Sequence, residues 1–322
     1  MTDKSVVKFF IVGNPKSGTT FLYNYLKSSP HIFLPHIKEV VFFAKDFHKE
    51  SDAFHGNQKF FPIRKLDDYH RFYRDAREDQ ICGDATPANL FSVEAAVNIF
   101  QYNPHAKIII SLREPVSYLR SAHFQSYFSL QESEKDFMKA LALEGDRKLG
   151  RHLSPHMNLP KLRFYSDRID YATHIRRYTD IFPTENVKIV LFDEILAHEE
   201  KVIKEIAKFI GVVEDPARIA QTHYKNPSKS LRYSQLLQKI NLHKIWNYGQ
   251  KMIPSFIYPK IVKIAYKLFT EQKEKPPLAN SDLEKLKKEY FPRVKETNDL
   301  LMKLGLIEID LISLWGYDEI QG

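Results

Sequence analysis

Short apolar runs alternate with longer amphipathic stretches along the first two thirds of the chain. The strand-like runs cover residues 7–12, 80–83, 107–112 and 187–192. Helical spacing of apolar residues follows at residues 19–27, 93–102, 116–127, 171–181 and 197–210, with Gly211 placed to end the last helix. This order is typical of parallel strands joined by crossover helices. It predicts an α/β fold with three layers, in which helices cover both faces of a central parallel sheet.

Two regions do not follow this alternation of strand and helix patterns. Residues 128–165 have no clear periodicity, and residues 240–278 are basic, aromatic and broken by prolines. Open parallel sheets bind ligands at the carboxyl ends of their strands, so we predict that both regions form helical caps over that edge. A charged helix is expected at residues 282–304, on the outside of the molecule. The organisation predicted for residues 1–322 is therefore one domain with two cap insertions.

Composition narrows the possible partners. The 322 residues are 43% hydrophobic, which is enough for a large core, and 48 basic against 40 acidic residues give a net charge of +8. That surplus points to an anionic cofactor or acceptor, nucleic acid or a membrane surface. Cys82 is the only cysteine, so an internal disulfide is excluded. The apolar runs are too short to span a membrane, and a cytoplasmic protein is expected.

A phosphate-binding loop is predicted directly after the first strand. It reads Gly13-Asn14-Pro15-Lys16-Ser17-Gly18-Thr19-Thr20. In nucleoside triphosphatases the lysine follows the second glycine, but here Thr19 takes that place and Lys16 is the only cation of the loop. The backbone N–H groups at the start of the next helix are expected to bind an anion, with Thr19 and Thr20 as hydroxyl donors.

The segment from Pro15 to Leu22 resembles the 5′-phosphosulfate loop of sulfotransferases that use 3′-phosphoadenosine 5′-phosphosulfate (PAPS). The resemblance implies a P-loop-kinase-like fold. It also implies that Lys16 contacts the oxygen that bridges phosphate and sulfur, where a donor stabilises charge as the sulfuryl group departs. The remaining donor-binding residues implied by this loop are Ser17, Gly18, Thr19 and Thr20.

A second match follows the third predicted strand. Arg113-Glu114-Pro115, with Ser121 in the next helix, is similar to the family's site for the 3′-phosphate, a group that suits the bidentate fork of arginine. Taken alone, the same residues would fit a helix N-terminus with a surface ion pair. Lys229 and Arg232 stand where the family has a basic loop that closes over this phosphate, although a basic surface loop is the alternative.

The residues Lys38-Glu39-Val40-Val41-Phe42-Phe43 resemble the segment that carries the catalytic glutamate of heparan-type sulfotransferases. The resemblance implies that Glu39 is the general base, unless it is a solvated helix residue. Heparan 3-O enzymes have His at Val41 and Asp at Ala44, so the acceptor geometry differs here. His36 is the second candidate base, because the cytosolic small-molecule branch uses histidine.

Acceptor binding is assigned to Lys38, His36 and Asp84. Asp84 lies in a segment that resembles the family's acceptor-pocket lining, although it could equally cap the turn before Pro87.

The resemblance implies sulfuryl transfer from PAPS to a hydroxyl, or less readily an amine, of a saccharide, glycolipid or polysaccharide. No metal is required in that mechanism, and the histidines show no metal-binding spacing. Nucleic acid is not an expected partner. One alternative is an ATP-dependent kinase or NTPase of the same fold, with Asp193 as a Mg²⁺ ligand. Another is a non-catalytic protein that binds polyanions or a membrane surface through residues 239–267.

Overall fold

We analysed a computed structural model that describes residues 6–212 and 277–320, together with the backbone of residues 229–231 and 270–272. The chain divides into two compact units. The first comprises Met1–Leu119, Phe164–Tyr224 and Ala279–Gly322, and the second comprises Arg120–Arg163 and Lys225–Leu278. The organisation as one domain with two cap insertions stays a prediction.

The first unit contains a five-stranded parallel sheet. Its strands are β1 (Phe9–Gly13), β2 (Ile32–Phe33), β3 (Ile81–Ala85), β4 (Lys107–Leu112) and β5 (Val187–Leu191), in the order β2-β3-β1-β4-β5. Ile11 of the central strand pairs with Ala85 on one side and Ile109 on the other. The four predicted strands are confirmed. β2 was not predicted, because two residues are too few to show an alternating pattern.

Helices surround this sheet. They are α1 (Thr19–Ser28), α2 (Lys45–His55), α3 (Leu66–His70), α4 (Ala95–Tyr102), α5 (Pro115–Phe128, which continues into the second unit), α8 (Tyr165–Arg168), α9 (Tyr171–Thr179), α10 (Phe192–Ala197), α11 (Glu199–Phe209), α12 (Asn280–Lys303) and α13 (Leu311–Leu314). The predicted helix at residues 197–210 is preceded by a separate one, because His198 leaves the helical region with φ −141°. Gly211 ends α11 as predicted, with φ 86°.

The second unit contains the end of α5, α6 (Phe137–Ala142) and α7 (Glu144–Lys148). A fully buried ion pair of 2.7 Å joins Arg147 to Glu132 within it. The antiparallel pair β6 (Lys229–Leu231) and β7 (Thr270–Gln272) also belongs to this unit. Residues 128–165, expected to be irregular, therefore include short helices. Most of the predicted cap at residues 240–278 lies outside the described residues.

A hydrophobic cluster fixes α1 against the sheet. It contains Ile11 of β1, Leu22 and Leu26 of α1, and Ile203 and Ile206 of α11. Burying such side chains is the main stabilising contribution to a fold of this kind. Because β1 and α1 are both held in this cluster, the loop between them has fixed ends. No helix within the described ranges is long and apolar enough to cross a membrane.

Candidate active site

The loop between β1 and α1 is bound tightly to the end of β4. Gly13 has φ 139°, and a Cβ atom there would lie 2.2 Å from the carbonyl oxygen of Ser111, so only glycine fits. The Asn14 N–H donates to that same oxygen at 2.8 Å. The Ser111 hydroxyl donates to the Ser17 carbonyl oxygen at 2.5 Å, and the Ser17 hydroxyl donates to the carbonyl oxygens of Asn14 and Ser111. The side chain of Ser17 therefore supports the loop itself, and its role in donor binding stays a prediction.

The N-terminus of α1 has no side-chain cap. Its first intrahelical bond runs from the Leu22 N–H to the Gly18 carbonyl oxygen at 3.0 Å, so the preceding N–H groups have no acceptor within the helix. Gly18 has φ 87°, and a Cβ atom there would lie 2.7 Å from Cδ1 of Ile195. Such an open helix end attracts anions through its N–H groups and its dipole. The loop therefore has the backbone geometry that an anion-binding loop requires.

Lys16 projects from the middle of this loop. Its backbone has φ 75°, which is uncommon for a residue other than glycine and is found most often at functional sites. Its ammonium makes no hydrogen bond to the described residues. Burial lowers the pKa of Lys16, and the positive charges of Arg113 and Lys38 lower it further. An anion bound at the loop would relieve this desolvation and repulsion.

Arg113, which follows β4, points to the loop and not to a surface partner. Its Nη1 donates to the main-chain carbonyl oxygen of Lys16 at 2.9 Å. The neighbouring Glu114 instead caps α5, with its carboxylate oxygens 2.8 Å from the Val116 N and 2.6 Å from the Ser117 N. The helix N-terminus of the alternative reading is therefore present, but among the described residues no surface ion pair of Arg113 accompanies it. Burial lowers the pKa of Arg113.

The other predicted ligands of the 3′-phosphate lie in the second unit. Ser121 is buried in α5, and its hydroxyl has no hydrogen-bond partner in the described part of the chain. Lys229 begins β6, where only the backbone is described, and Arg232 falls outside the described residues. The roles of Ser121, Lys229 and Arg232 stay predictions.

The segment that carries Glu39 has no regular secondary structure and lies beside the end of β3. The Glu39 N–H donates to the carbonyl oxygen of Ala85 at 3.1 Å, and the Glu39 backbone has φ 64°. Its side chain is 50% exposed, and a carboxylate oxygen lies 3.6 Å from Nζ of Lys38. The segment is not helical, so the helical part of the alternative is wrong, whereas the solvation that it also predicted is present. The carboxylate is open to a molecule arriving from solvent.

Lys38 connects this segment to the loop. Its ammonium donates to the Thr20 hydroxyl at 2.9 Å and lies 3.4 Å from the Thr19 hydroxyl. Burial lowers the pKa of Lys38, and the carboxylate of Glu39 opposes that shift. Lys38 was predicted to bind the acceptor, but its contacts place it on the hydroxyls expected to bind the donor. No sequence pattern indicated these contacts.

His36 lies near the other end of α1. Its Nδ1 is 3.3 Å from Nζ of Lys27, in the last turn of the helix. Thr20 is seven residues earlier in the same helix, which corresponds to about 10 Å along its axis. The structure therefore brings Glu39, and not His36, to the loop.

Two buried polar side chains lie at strand ends near these residues. Asp84 of β3 accepts a hydrogen bond from the Tyr69 hydroxyl at 2.9 Å. Burial raises the pKa of Asp84, and the charge of Glu39 acts in the same direction. The carboxamide of Asn14 is buried without a hydrogen bond to any described residue. Such groups are normally paired, so Asn14 is a candidate ligand contact that the sequence analysis missed.

Asp193, the proposed Mg²⁺ ligand of a kinase, has a different partner. Its Oδ2 accepts a hydrogen bond from the Trp315 indole N–H at 3.1 Å. Within the described ranges, no group of three or more histidine, cysteine or acidic side chains could hold a metal ion.

Comparisons with known proteins identify the family of the chain. A family model for the sulfotransferase family matches residues 8–216. Over 237 residues, the chain is 24% identical to heparan sulfate glucosamine 3-O-sulfotransferase 5 of Mus musculus, covering 72% of this chain and 61% of that protein. Over 123 residues, it is 30% identical to the membrane-associated sulfotransferase kil1 of Dictyostelium discoideum, covering 38% and 23%. The chain thus spans less than two thirds of the length of these curated relatives.

A sulfotransferase from Alicyclobacillus acidocaldarius has the same fold, with a TM-score of 0.65, 23% identity and coverage of 96% of this chain and 98% of that one. The family match begins one residue before β1 and continues beyond α11, so it includes the loop, Glu39 and Arg113. This chain belongs to the sulfotransferase family.

Proposed function

We propose that this chain is an enzyme that transfers a sulfuryl group from PAPS to a hydroxyl of an acceptor. The observation that carries the proposal is the set of cations around the uncapped N-terminus of α1. Lys16 lies within the loop, Lys38 contacts its threonines, and Arg113 donates to its backbone. The three positive charges repel one another, and their burial costs hydration. A bound anion would offset both costs.

The residues present fit the donor, which carries a phosphosulfate and a separate 3′-phosphate. The N–H groups of the loop, Lys16 and Lys38 would hold the phosphosulfate. Arg113 would hold the 3′-phosphate, since its planar fork matches phosphate oxygens. Ser121 is implied for the same phosphate by the sequence resemblance, and among the described residues its hydroxyl has no hydrogen-bond partner.

In the proposed reaction, Glu39 accepts the proton of the acceptor hydroxyl. The acceptor oxygen forms a bond to sulfur while the bond between sulfur and the bridging oxygen breaks. Lys16 donates to that bridging oxygen, where negative charge accumulates on the departing adenosine 3′,5′-bisphosphate. A donor fixed in place before the reaction lowers the barrier more than one that must reorganise. The hydrogen bond from Arg113 to the Lys16 carbonyl oxygen supports that placement.

The acceptor is proposed to be a saccharide hydroxyl. This rests on the resemblance of the Glu39 segment and on the exposure of the Glu39 carboxylate, which a bulky acceptor could reach. Val41 and Ala44, which replace His and Asp of the heparan 3-O enzymes, are both buried, with exposures of 6% and 0%. Because the side chains at these two positions are buried, they cannot contact an acceptor that arrives from solvent. We therefore propose that other residues recognise the acceptor here.

Nucleotide titration separates this proposal from its rivals. We expect adenosine 3′,5′-bisphosphate to bind in the presence of EDTA, and more tightly than ATP binds with Mg²⁺. Binding of ATP that depends on Mg²⁺, without a preference for the 3′-phosphate, would instead indicate a kinase or NTPase. A non-catalytic polyanion-binding protein would show salt-sensitive binding that survives Lys16→Ala. Screening glycan acceptors with labelled PAPS then identifies the acceptor class.

A further inference from the structure

Residues 315–317 form a bridge between the ends of two neighbouring strands. The Trp315 indole N–H donates to Oδ2 of Asp193, which follows β5, at 3.1 Å. The Tyr317 hydroxyl donates to Oε1 of Glu114, which follows β4, at 2.7 Å. The function proposed above assigns no role to this bridge, although one of its acceptors, Glu114, follows Arg113 in the chain and the other, Asp193, follows Phe192, on which Arg113 stacks.

The bridge is itself fixed in place. Trp315 and Tyr317 are 4% and 0% exposed. Nζ of Lys287, in α12, donates to the carbonyl oxygens of Trp315 and Gly316 at 3.1 and 2.7 Å. Hydrogen bonds from buried and anchored donors hold their acceptors more firmly than those from mobile surface groups. The two carboxylates therefore have constrained orientations.

Arg113 precedes Glu114 in the chain, and its guanidinium stacks over the ring of Phe192, the residue before Asp193, 4.3 Å from the centroid. Among the described residues, it forms no ion pair with either carboxylate. Asp193 is nevertheless the charge that most opposes the lowering of the Arg113 pKa by burial. Arginine and carboxylate side chains that can reach each other often form bidentate pairs. Trp315 holds the Asp193 carboxylate in a different hydrogen bond, whereas Glu114 is held by Tyr317 and also by the N–H groups of Val116 and Ser117.

We propose that Trp315 and Tyr317 are positioning residues that keep Asp193 and Glu114 from pairing with Arg113, so that its guanidinium stays available for the 3′-phosphate of the donor. This inference rests on the function proposed above for the identity of the ligand. The Asp193 carboxylate, once released from Trp315, would turn towards Arg113 and compete with the phosphate, whereas Glu114 without Tyr317 would be held by the N–H groups of α5 alone. The bridge thus sets the preference for nucleotides that carry a 3′-phosphate.

The test uses variants that remove one donor and keep the ring. Trp315→Phe and Tyr317→Phe are compared with the wild type by calorimetric titration with adenosine 3′,5′-bisphosphate and adenosine 5′-monophosphate. We expect Trp315→Phe to lower the preference for the bisphosphate about tenfold, the scale of a hydrogen bond to a charged group. Tyr317→Phe should lower it less, because Glu114 keeps its hydrogen bonds from the Val116 and Ser117 N–H groups. Affinity for the monophosphate should change less than about twofold, because the proposed contacts of the 5′ end are unchanged.

A rescue variant and a matched control separate positioning from packing. Asp193→Asn in the Trp315→Phe background removes the competing charge and should restore the preference for the bisphosphate. Tyr178→Phe is the control, because the Tyr178 hydroxyl donates at 2.9 Å to the carbonyl oxygen of Asn89 and not to a residue beside Arg113. That control should leave the preference unchanged.

Results that contradict the inference differ from results that contradict the proposed function. Equal weakening of both nucleotides, no change in either, or failure of Asp193→Asn to rescue would overturn the inference. If the wild type shows the preference and Arg113→Ala abolishes it while Trp315→Phe and Tyr317→Phe retain it, the inference alone fails. If the wild type shows no preference for the 3′-phosphate, the proposed function fails and the inference falls with it.

Discussion

The guanidinium of Arg113 donates a hydrogen bond to the main-chain carbonyl oxygen of Lys16, 2.9 Å away and 97 residues earlier in the chain. Lys16 has a left-handed backbone, a conformation that the surrounding structure must hold. The residue proposed for the 3′-phosphate therefore also supports the residue proposed for the leaving group. Changes at Arg113 should affect both donor affinity and turnover.

Lys16→Ala should lower turnover about 10²–10³-fold, which is the effect of losing one fixed donor to a developing oxyanion. The measurement is kcat at saturating donor with labelled sulfate. Lys295→Ala is the control, because Lys295 pairs with Asp299 on the surface of α12. Turnover that is equal in the two variants would contradict the role of Lys16.

Glu39→Gln should abolish turnover while adenosine 3′,5′-bisphosphate binds as in the wild type. Glutamine keeps the size of the side chain but does not accept the acceptor proton at neutral pH. His36→Ala should remain active, because His36 contacts Lys27 and not the loop. An inactive His36→Ala with a mildly affected Glu39→Gln would identify His36 as the base.

Lys38→Ala and Thr20→Val should each weaken binding of adenosine 3′,5′-bisphosphate, and their effects should not add. The two side chains share a hydrogen bond of 2.9 Å. We expect a coupling energy of about 1 kcal/mol in a double-mutant cycle measured by titration. Lys38→Ala combined with Tyr178→Phe serves as the uncoupled pair. Additivity in both cycles would show that the Lys38 contact has no part in donor binding.

The loss of activity at high pH, which is the alkaline limb of the pH profile, should be caused by deprotonation of Lys16. Burial, Arg113 and Lys38 hold its pKa below the ordinary 10.5, so its positive charge is lost at a lower pH than that of a surface lysine. The kcat/KM for the donor should therefore fall as pH rises through this lowered pKa. The limb should lie at higher pH in kcat, because a bound anion favours the charged amine. Lys16→Arg should move the kcat/KM limb to higher pH, and an unmoved limb would assign it to another group.

His174 should make the fold sensitive to acid. Burial, and then the charge of Arg177, lower its pKa from 6.5 to about 3. Below pH 6.5 His174 binds a proton in the unfolded chain but not in the folded chain. The free energy of unfolding therefore falls by about 1.4 kcal/mol per pH unit until about pH 3. Between pH 6.5 and 5 this amounts to about 2 kcal/mol.

His174→Phe should remove that part of the acid sensitivity, since His174 packs edge-on against Phe91 in the core. The free energy of unfolding of both proteins is measured in urea at pH 7, 6 and 5. An equal loss of stability in wild type and variant would mean that other groups cause it.

Local patterns predicted the elements that have strong periodicity. The runs of β1, β4 and β5 were found because most of their residues are apolar, as expected for strands covered on both faces. The signal for β3 is weaker, because Gly83 and Asp84 lie within it. β2 has two residues, and the boundary between α10 and α11 depends on one residue, His198, outside the helical region. One or two residues do not change the hydrophobic pattern of the surrounding sequence, so the sequence could not predict these two features.

The sequence alone predicted the anion-binding loop, because Gly13 and Gly18 keep the spacing of a phosphate-binding loop, and in the structure both have a positive φ where a side chain would clash. The role of Lys16 in sulfuryl transfer stays a prediction. The sequence did not determine what surrounds the loop. The strand order β2-β3-β1-β4-β5 brings β3 and β4 to either side of β1, and so brings the Glu39 segment and Arg113 to one loop. The bond from Trp315 to Asp193 joins residues 122 apart. Such contacts depend on tertiary packing, because no local pattern encodes which distant strands become neighbours.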